Sequence, residues 1–196
     1  MRTIADIPAN KLFILDDFAK DHRGSYYIGE SMKFNEERAT LALIKHVAEL
    51  TGSGKKVFCG SSKGGWAALY FGTHFENAYI ISGGSQYYLG DYLMHSGNLE
   101  ALTHILGEIT DEGKEYLNHY LENRLRQNGF KDSQQLYLHY SNREHTYFEH
   151  IKDMVTELEN NRYNVFHDVE AYENHSEISL YFPAFLKKTL FSILQK

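Results

Sequence analysis

The chain has 196 residues, 42% of them apolar, and a formal net charge of −6 at pH 7. These values exclude a mainly disordered chain and leave room for one domain with a substantial core. With 20 basic against 26 acidic residues and no long basic run, the charge pattern of a polyphosphate binder is missing, so nucleic acid is not expected as a partner.

In chain order, "KLFILDDF" (residues 11–18) reads as a short apolar strand ending in acids, and "SYYIG" (25–29) as a second, shorter one. "FNEERATLALIKHVAEL" (34–50) has apolar positions at helical spacing on a charged background. "GSGKK" (52–56) lacks the outer glycine and the hydroxyl residue of a phosphate-binding loop and precedes a strand, so it reads as a helix cap and turn. Strand "KVFCG" (56–60) then meets a glycine-rich joint, followed by a helix over 63–75 and strand "NAYIISG" (77–83).

Residues 86–132 break the alternation, because they hold two or so helical segments with no strand between them. Two more strand and helix pairs follow: "QLYLHYS" (135–141) before a helix over 147–161, and "YNVFHDVEAY" (163–172) before a helix over 176–194. Strands alternating with helices predict parallel crossover units in a three-layer α/β sandwich. The only cysteine, Cys59, excludes a disulfide framework and reads as a small buried strand residue. Neither a basic and apolar leader nor a stretch long enough to span a bilayer is present, so a cytoplasmic protein with no membrane span is expected.

The joint carries chemistry. Gly60, Ser61, Ser62, Lys63 and Gly64 match G-x-S-x-G, a strained strand-to-helix turn that displays its central hydroxyl above the carboxyl ends of the strands. The two glycines are expected because a Cβ at either position would collide with the neighbouring strand or helix. Register selects Ser62, since Ser61 would be flanked by Cys59 and Lys63.

A serine hydroxyl needs a base to take its proton and a third group to orient that base. In the α/β-hydrolase order the acid comes next and the histidine last, each after a strand. Glu144 follows strand "QLYLHYS" and His175 sits just before the last helix. With 11 histidines in the chain, position alone is weak, and His145 beside Glu144 competes for the base as Glu173 and Asp168 compete for the acid. The oxyanion donors are expected to be the backbone N–H of Lys63 and one from the loop around Phe18 and Ala19. No metal-ligand spacing is present, so no metal is implied.

The segments "GSSKGGWAALYFG", "DDF...RGSYYIG" and "NHSEIS..F..FL" together resemble the α/β-hydrolase-like proteins of bacterial surface glycan assembly: capsular polysaccharide biosynthesis proteins and the accessory Sec system O-acetyltransferase. The resemblance implies acyl chemistry on carbohydrate by a triad carried here by Ser62, Glu144 and His175, with no cofactor. It also implies a single domain over 1–196 with a reduced, mostly parallel sheet of five or six strands.

Within that domain 86–132 is a helical cap, whose Tyr87 and Tyr88 are candidate sugar platforms, although tyrosines at helical spacing also serve as packing. The expected partner is a small-molecule or glycan ester. A bare sheet edge makes a homodimer an additional expectation. The competing reading is a catalytically silent module that binds a partner in a glycan biosynthesis or secretion assembly.

Overall fold

The computed structural model describes residues 3–52, 54–95 and 97–195. In chain order the helices are α1 (Asn35–Thr51), α2 (Lys63–Gly72), α3 (Leu89–His95), α4 (Leu99–Leu106), α5 (Asp111–Asn118), α6 (Tyr120–Gln127), α7 (Lys152–Asn160) and α8 (Ile178–Gln195). The strands are β1 (Lys56–Ser61), β2 (Ala78–Gly83), β3 (Gln135–Ser141) and β4 (Val165–Glu170). The chain divides into two compact units. One gathers Lys55–Tyr87 with residues 3–10 and 124–195; the other joins Lys11–Gly54 to Tyr88–Asn123.

The first unit holds the sheet, with strands in the order β1-β2-β3-β4 and every pair parallel. Right-handed crossovers that always step the same way put α2 and α7 on one face and leave the other to be covered separately. Side chains alternate along a strand, so neighbouring residues serve the two faces. Ile80 meets α2 at Gly72, where an added Cβ would lie 2.6 Å from the Ile80 side chain. Ile81 instead joins Ile7, Tyr172, Ile178, Phe182, Leu186, Leu190 and Ile193 in the cluster beneath α8. Burying each such side chain contributes roughly 1.5–3 kcal/mol, which makes α8 a structural layer of the unit.

Among the described residues the sheet has four strands, not five or six. Residues 11–18 form no strand, and Leu12, Phe13, Leu15 and Phe18 are exposed along them. Residues 25–29 cannot continue a strand because Tyr26 and Tyr27 sit at φ 54° and 58°, in the left-handed region. Side-chain bonds hold this segment of the second unit instead: the Asp16 carboxylate accepts the Ser25 N–H at 2.9 Å, and the Tyr27 hydroxyl donates to the Ile14 carbonyl at 3.0 Å.

Also in the second unit, α1 ends at Gly52 in the left-handed region (φ 58°), whose N–H caps the Glu49 carbonyl; Ser53 of the "GSGKK" stretch lies outside the described residues. Residues 86–132 contain four short helices rather than two. Gly107 ends α4 at φ 79°, and Thr110 starts α5 by accepting the Gly113 N–H at 3.1 Å. At Gly90, α3 comes so close to α5 that an added Cβ would lie 2.1 Å from the Lys114 carbonyl oxygen.

Candidate active site

Ser62 stands between β1 and α2 at φ 53°, ψ −122°, a conformation that L-residues rarely adopt. Strain of this kind costs on the order of 1–3 kcal/mol and persists only where the surroundings impose it. Here β2 imposes it, because the Ser62 N–H donates to the Gly83 carbonyl at 2.7 Å. The α2 ladder starts immediately, with the Trp66 N–H on the Ser62 carbonyl at 3.0 Å, so the first-turn N–H groups and the positive end of the helix point toward the serine.

The glycines differ from expectation. At Gly60 an added Cβ would lie 2.4 Å from the Gly64 carbonyl oxygen, so its absence is required. At Gly64 nothing lies within 4 Å. The second close approach falls one residue later, at Gly65, where a Cβ would be 2.8 Å from the Gly83 carbonyl oxygen.

The Ser62 hydroxyl lies 3.0 Å from His175 Nε2, and His175 Nδ1 lies 3.0 Å from Glu144 Oε2. The Glu144 carboxylate is fully buried, while the His175 side chain keeps 24% of its surface. With Nδ1–H donating to the carboxylate, Nε2 is left as an acceptor for the Ser62 hydroxyl. That is the proton arrangement of an activated serine nucleophile.

Local structure sets each partner. Glu144 follows the end of β3, and its carbonyl accepts the Tyr147 N–H at the entrance to the wide turn that opens into α7. His175 begins a short 3-10 turn before α8, held by Glu177, whose Oε2 accepts the N–H groups of Asn174 at 2.8 Å and Glu173 at 3.0 Å. The Asn174 N–H first of all, helped by the Glu173 N–H and the Asn174 side chain, holds the Glu177 carboxyl below its ordinary value against the opposing effect of burial. Gly84, at φ 49°, leaves room for the ring, since a Cβ there would be 3.2 Å from His175 Cε1.

The alternatives lie elsewhere. His145 is exposed and 4.0 Å from Glu149. Asp168 binds His139 Nδ1 at 2.7 Å, and Glu173 is exposed. Cys59 is exposed on the edge strand β1 rather than buried. Lys63 is the first residue of α2, and Phe18 belongs to the second unit with its side chain half exposed. Tyr87 is 2% exposed, a packing environment, and Tyr88 is half-buried.

One residue escaped the sequence reading: fully buried Gln86, whose Nε2 donates to Ser62 Oγ at 3.2 Å. Its only signal was the run of small residues, Ser82 to Ser85, that brings it to the serine. Among the described residues no group of three or more His, Cys, Asp or Glu is arranged to hold a metal, and no helix is long and apolar enough to cross a membrane.

Solved structures share this architecture. The capsule O-acetyltransferase of Neisseria meningitidis serogroup A aligns with a TM-score of 0.71 at 20% identity, over 87% of this chain and 69% of that one. The chain has an α/β-hydrolase-like fold.

FphF, a fluorophosphonate-binding serine hydrolase of Staphylococcus aureus, shares that hydrolase-like fold with a TM-score of 0.57 at 16% identity, over 85% of this chain and 66% of that one. The glycosylation-associated Gap123 complex of Streptococcus agalactiae aligns with a TM-score of 0.68 at 18% identity over 86% of this chain, which spans only 35% of that one. At these identities the likeness is one of fold, and it includes proteins of capsule acetylation and glycosylation, as the sequence resemblance implies. No family model and no curated protein matches the sequence.

Proposed function

We propose that the protein is a serine-dependent acyltransferase or esterase acting on acylated carbohydrate or another small ester through an acyl-Ser62 intermediate. The observation that carries this is the hydrogen-bonded chain Ser62–His175–Glu144 mounted on a strained strand-to-helix turn. His175 Nε2 takes the Ser62 proton as Oγ attacks the acyl carbonyl carbon. The tetrahedral oxyanion is held by the Lys63 backbone N–H at the start of α2. As the intermediate collapses, the leaving group departs with the proton from His175. An acceptor hydroxyl then gives its proton to His175 and attacks the acyl-serine, and Ser62 Oγ leaves and is reprotonated. Glu144 keeps the imidazole in the required tautomer and stabilises its charged form.

Water as acceptor gives hydrolysis and a sugar hydroxyl gives transfer. Similarity to a capsule O-acetyltransferase, one of whose structures is a complex with CoA, supports a sugar hydroxyl as acceptor and an acyl-CoA as donor. Labelling by a fluorophosphonate probe tests the mechanism: the wild type should be labelled and Ser62→Ala should not. Adding free glycans to an acetyl-donor assay then separates transfer, which yields acetylated glycan, from hydrolysis.

The likeness to the Gap123 complex favours a second reading, a partner-binding module without catalysis. Folded wild-type protein that neither reacts with the probe nor cleaves p-nitrophenyl acetate would establish it. Action in the cytoplasm and homodimer formation through an open sheet edge complete the proposal. Light scattering that finds only monomer at high concentration removes the dimer.

A further inference from the structure

We propose that Gln86 is a further catalytic residue of this site: its side-chain amide donates a hydrogen bond to Ser62 Oγ, aims the hydroxyl proton at His175 and supports the charge that develops on that oxygen. The proposal rests on the reading of Ser62 as nucleophile. The geometry assigns the direction of the bond. Glu144 Oε2 beside Nδ1 puts the imidazole proton on Nδ1, so Nε2 accepts, and the single hydroxyl proton of Ser62 goes to Nε2. Oγ is then an acceptor toward its other neighbour, the Gln86 nitrogen at 3.2 Å. With the amide reversed, its oxygen and Nε2 would compete for one proton, which fixes the orientation from the network itself.

The amide is held rather than merely nearby. Gln86 is fully buried and stands three residues past the end of β2, whose last residue pairs with Ser61 in the sheet. The chain leaving β2 is pinned by the Gly84 N–H on the His139 carbonyl at 2.9 Å and by the buried Ser85 hydroxyl, which contacts Ser82 Oγ at 3.2 Å and Met154 Sδ at 3.5 Å. The segment that supplies the Gly83 carbonyl to the Ser62 N–H thus also supplies the amide to its Oγ, so both polar groups of the nucleophile are referred to one rigid exit. A fixed donor at an oxygen that gains negative charge acts without reorganisation. Oγ gains such charge twice, as its proton moves to His175 during attack and again when it leaves the acyl carbon.

The test is the second-order rate constant for fluorophosphonate labelling, with thermal unfolding measured on each variant. Gln86→Met keeps length and burial but cannot donate, and should label about 10- to 100-fold more slowly than wild type. Gln86→Glu keeps the shape and can donate only when protonated. Its rate relative to wild type at the same pH should rise as pH falls.

A Gln86→Met rate within about twofold of wild type, or a Gln86→Glu ratio that is flat with pH, overturns the proposal. If the Met variant does not fold, the pH dependence of the Glu variant decides. Wild-type protein that is not labelled at Ser62 overturns the reading of the site beneath it, whereas labelled wild type with unaffected Gln86 variants overturns only the role of Gln86.

Discussion

Gly60→Ala and Gly64→Ala make a matched pair, because one motif contains both glycines and the structure separates them. A methyl at position 60 would lie 2.4 Å from the Gly64 carbonyl oxygen, 2.5 Å from its carbon and 2.8 Å from its Cα, against 3.4–4 Å for an ordinary contact. The overlap is about 1 Å and falls on backbone, so no rotamer change relieves it and the start of α2 must move. Overpacking of this kind costs about 1–3 kcal/mol. In a chain of this length that lowers Tm by roughly 2–4 °C per kcal/mol.

The moving part carries Ser62, now 3.0 Å from His175 Nε2, and misplacement by about 1 Å costs on the order of 100-fold in rate. At position 64 the methyl meets nothing within 4 Å on a helical backbone. That variant should keep its labelling rate and gain up to about 0.5–1 kcal/mol. Differential scanning fluorimetry and fluorophosphonate labelling read both effects. A Gly60→Ala protein with wild-type Tm and rate, or a Gly64→Ala protein damaged as badly as Gly60→Ala, refutes the steric reasoning.

Ser62→Ala should remove p-nitrophenyl acetate cleavage by more than about 1000-fold while circular dichroism shows an intact fold. Glu144→Gln preserves shape but lets the imidazole adopt the wrong tautomer, and should lower kcat by about 10³- to 10⁴-fold with little change in KM. For Glu177 the folded carboxyl titrates below its unfolded value, so its stabilising effect is complete above the usual carboxylate range and drains away as pH falls through the lowered value. Glu177→Gln should therefore be less stable than wild type near neutral pH, and the Tm difference should close on acidification. Because Glu177 anchors the turn that bears His175, the same variant should also lose activity near neutral pH.

The site was legible where steric necessity leaves a mark in composition. Gly60 is the only residue that fits against α2, and Ser62 follows from it by register. Strands β2 and β3 were legible because their centres, Ala78 to Ile81 and Leu136 to Leu138, are apolar runs between more polar residues, the pattern of buried parallel strands. Residues 11–18 look the same in sequence, yet a strand also needs a partner edge, and periodicity carries no information about partners. The left-handed backbones of Tyr26 and Tyr27 were equally hidden, since nothing in two tyrosines announces positive φ. Gln86 belongs to no motif, and only the pairing of Ser61 with Gly83 brings it to the serine.

The order of the strands has a consequence for a severed chain. Ser62, Glu144 and His175 leave the sheet after β1, β3 and β4, and His175 lies 113 positions beyond Ser62. His175 directly precedes α8, the helix whose apolar side seals the face opposite α2. A polypeptide that ends anywhere between Ser62 and His175 keeps the hydroxyl but lacks the imidazole that faces it. On the proposed mechanism, loss of the segment that carries His175 and the last helix therefore disarms the serine while leaving the elbow's own sequence whole.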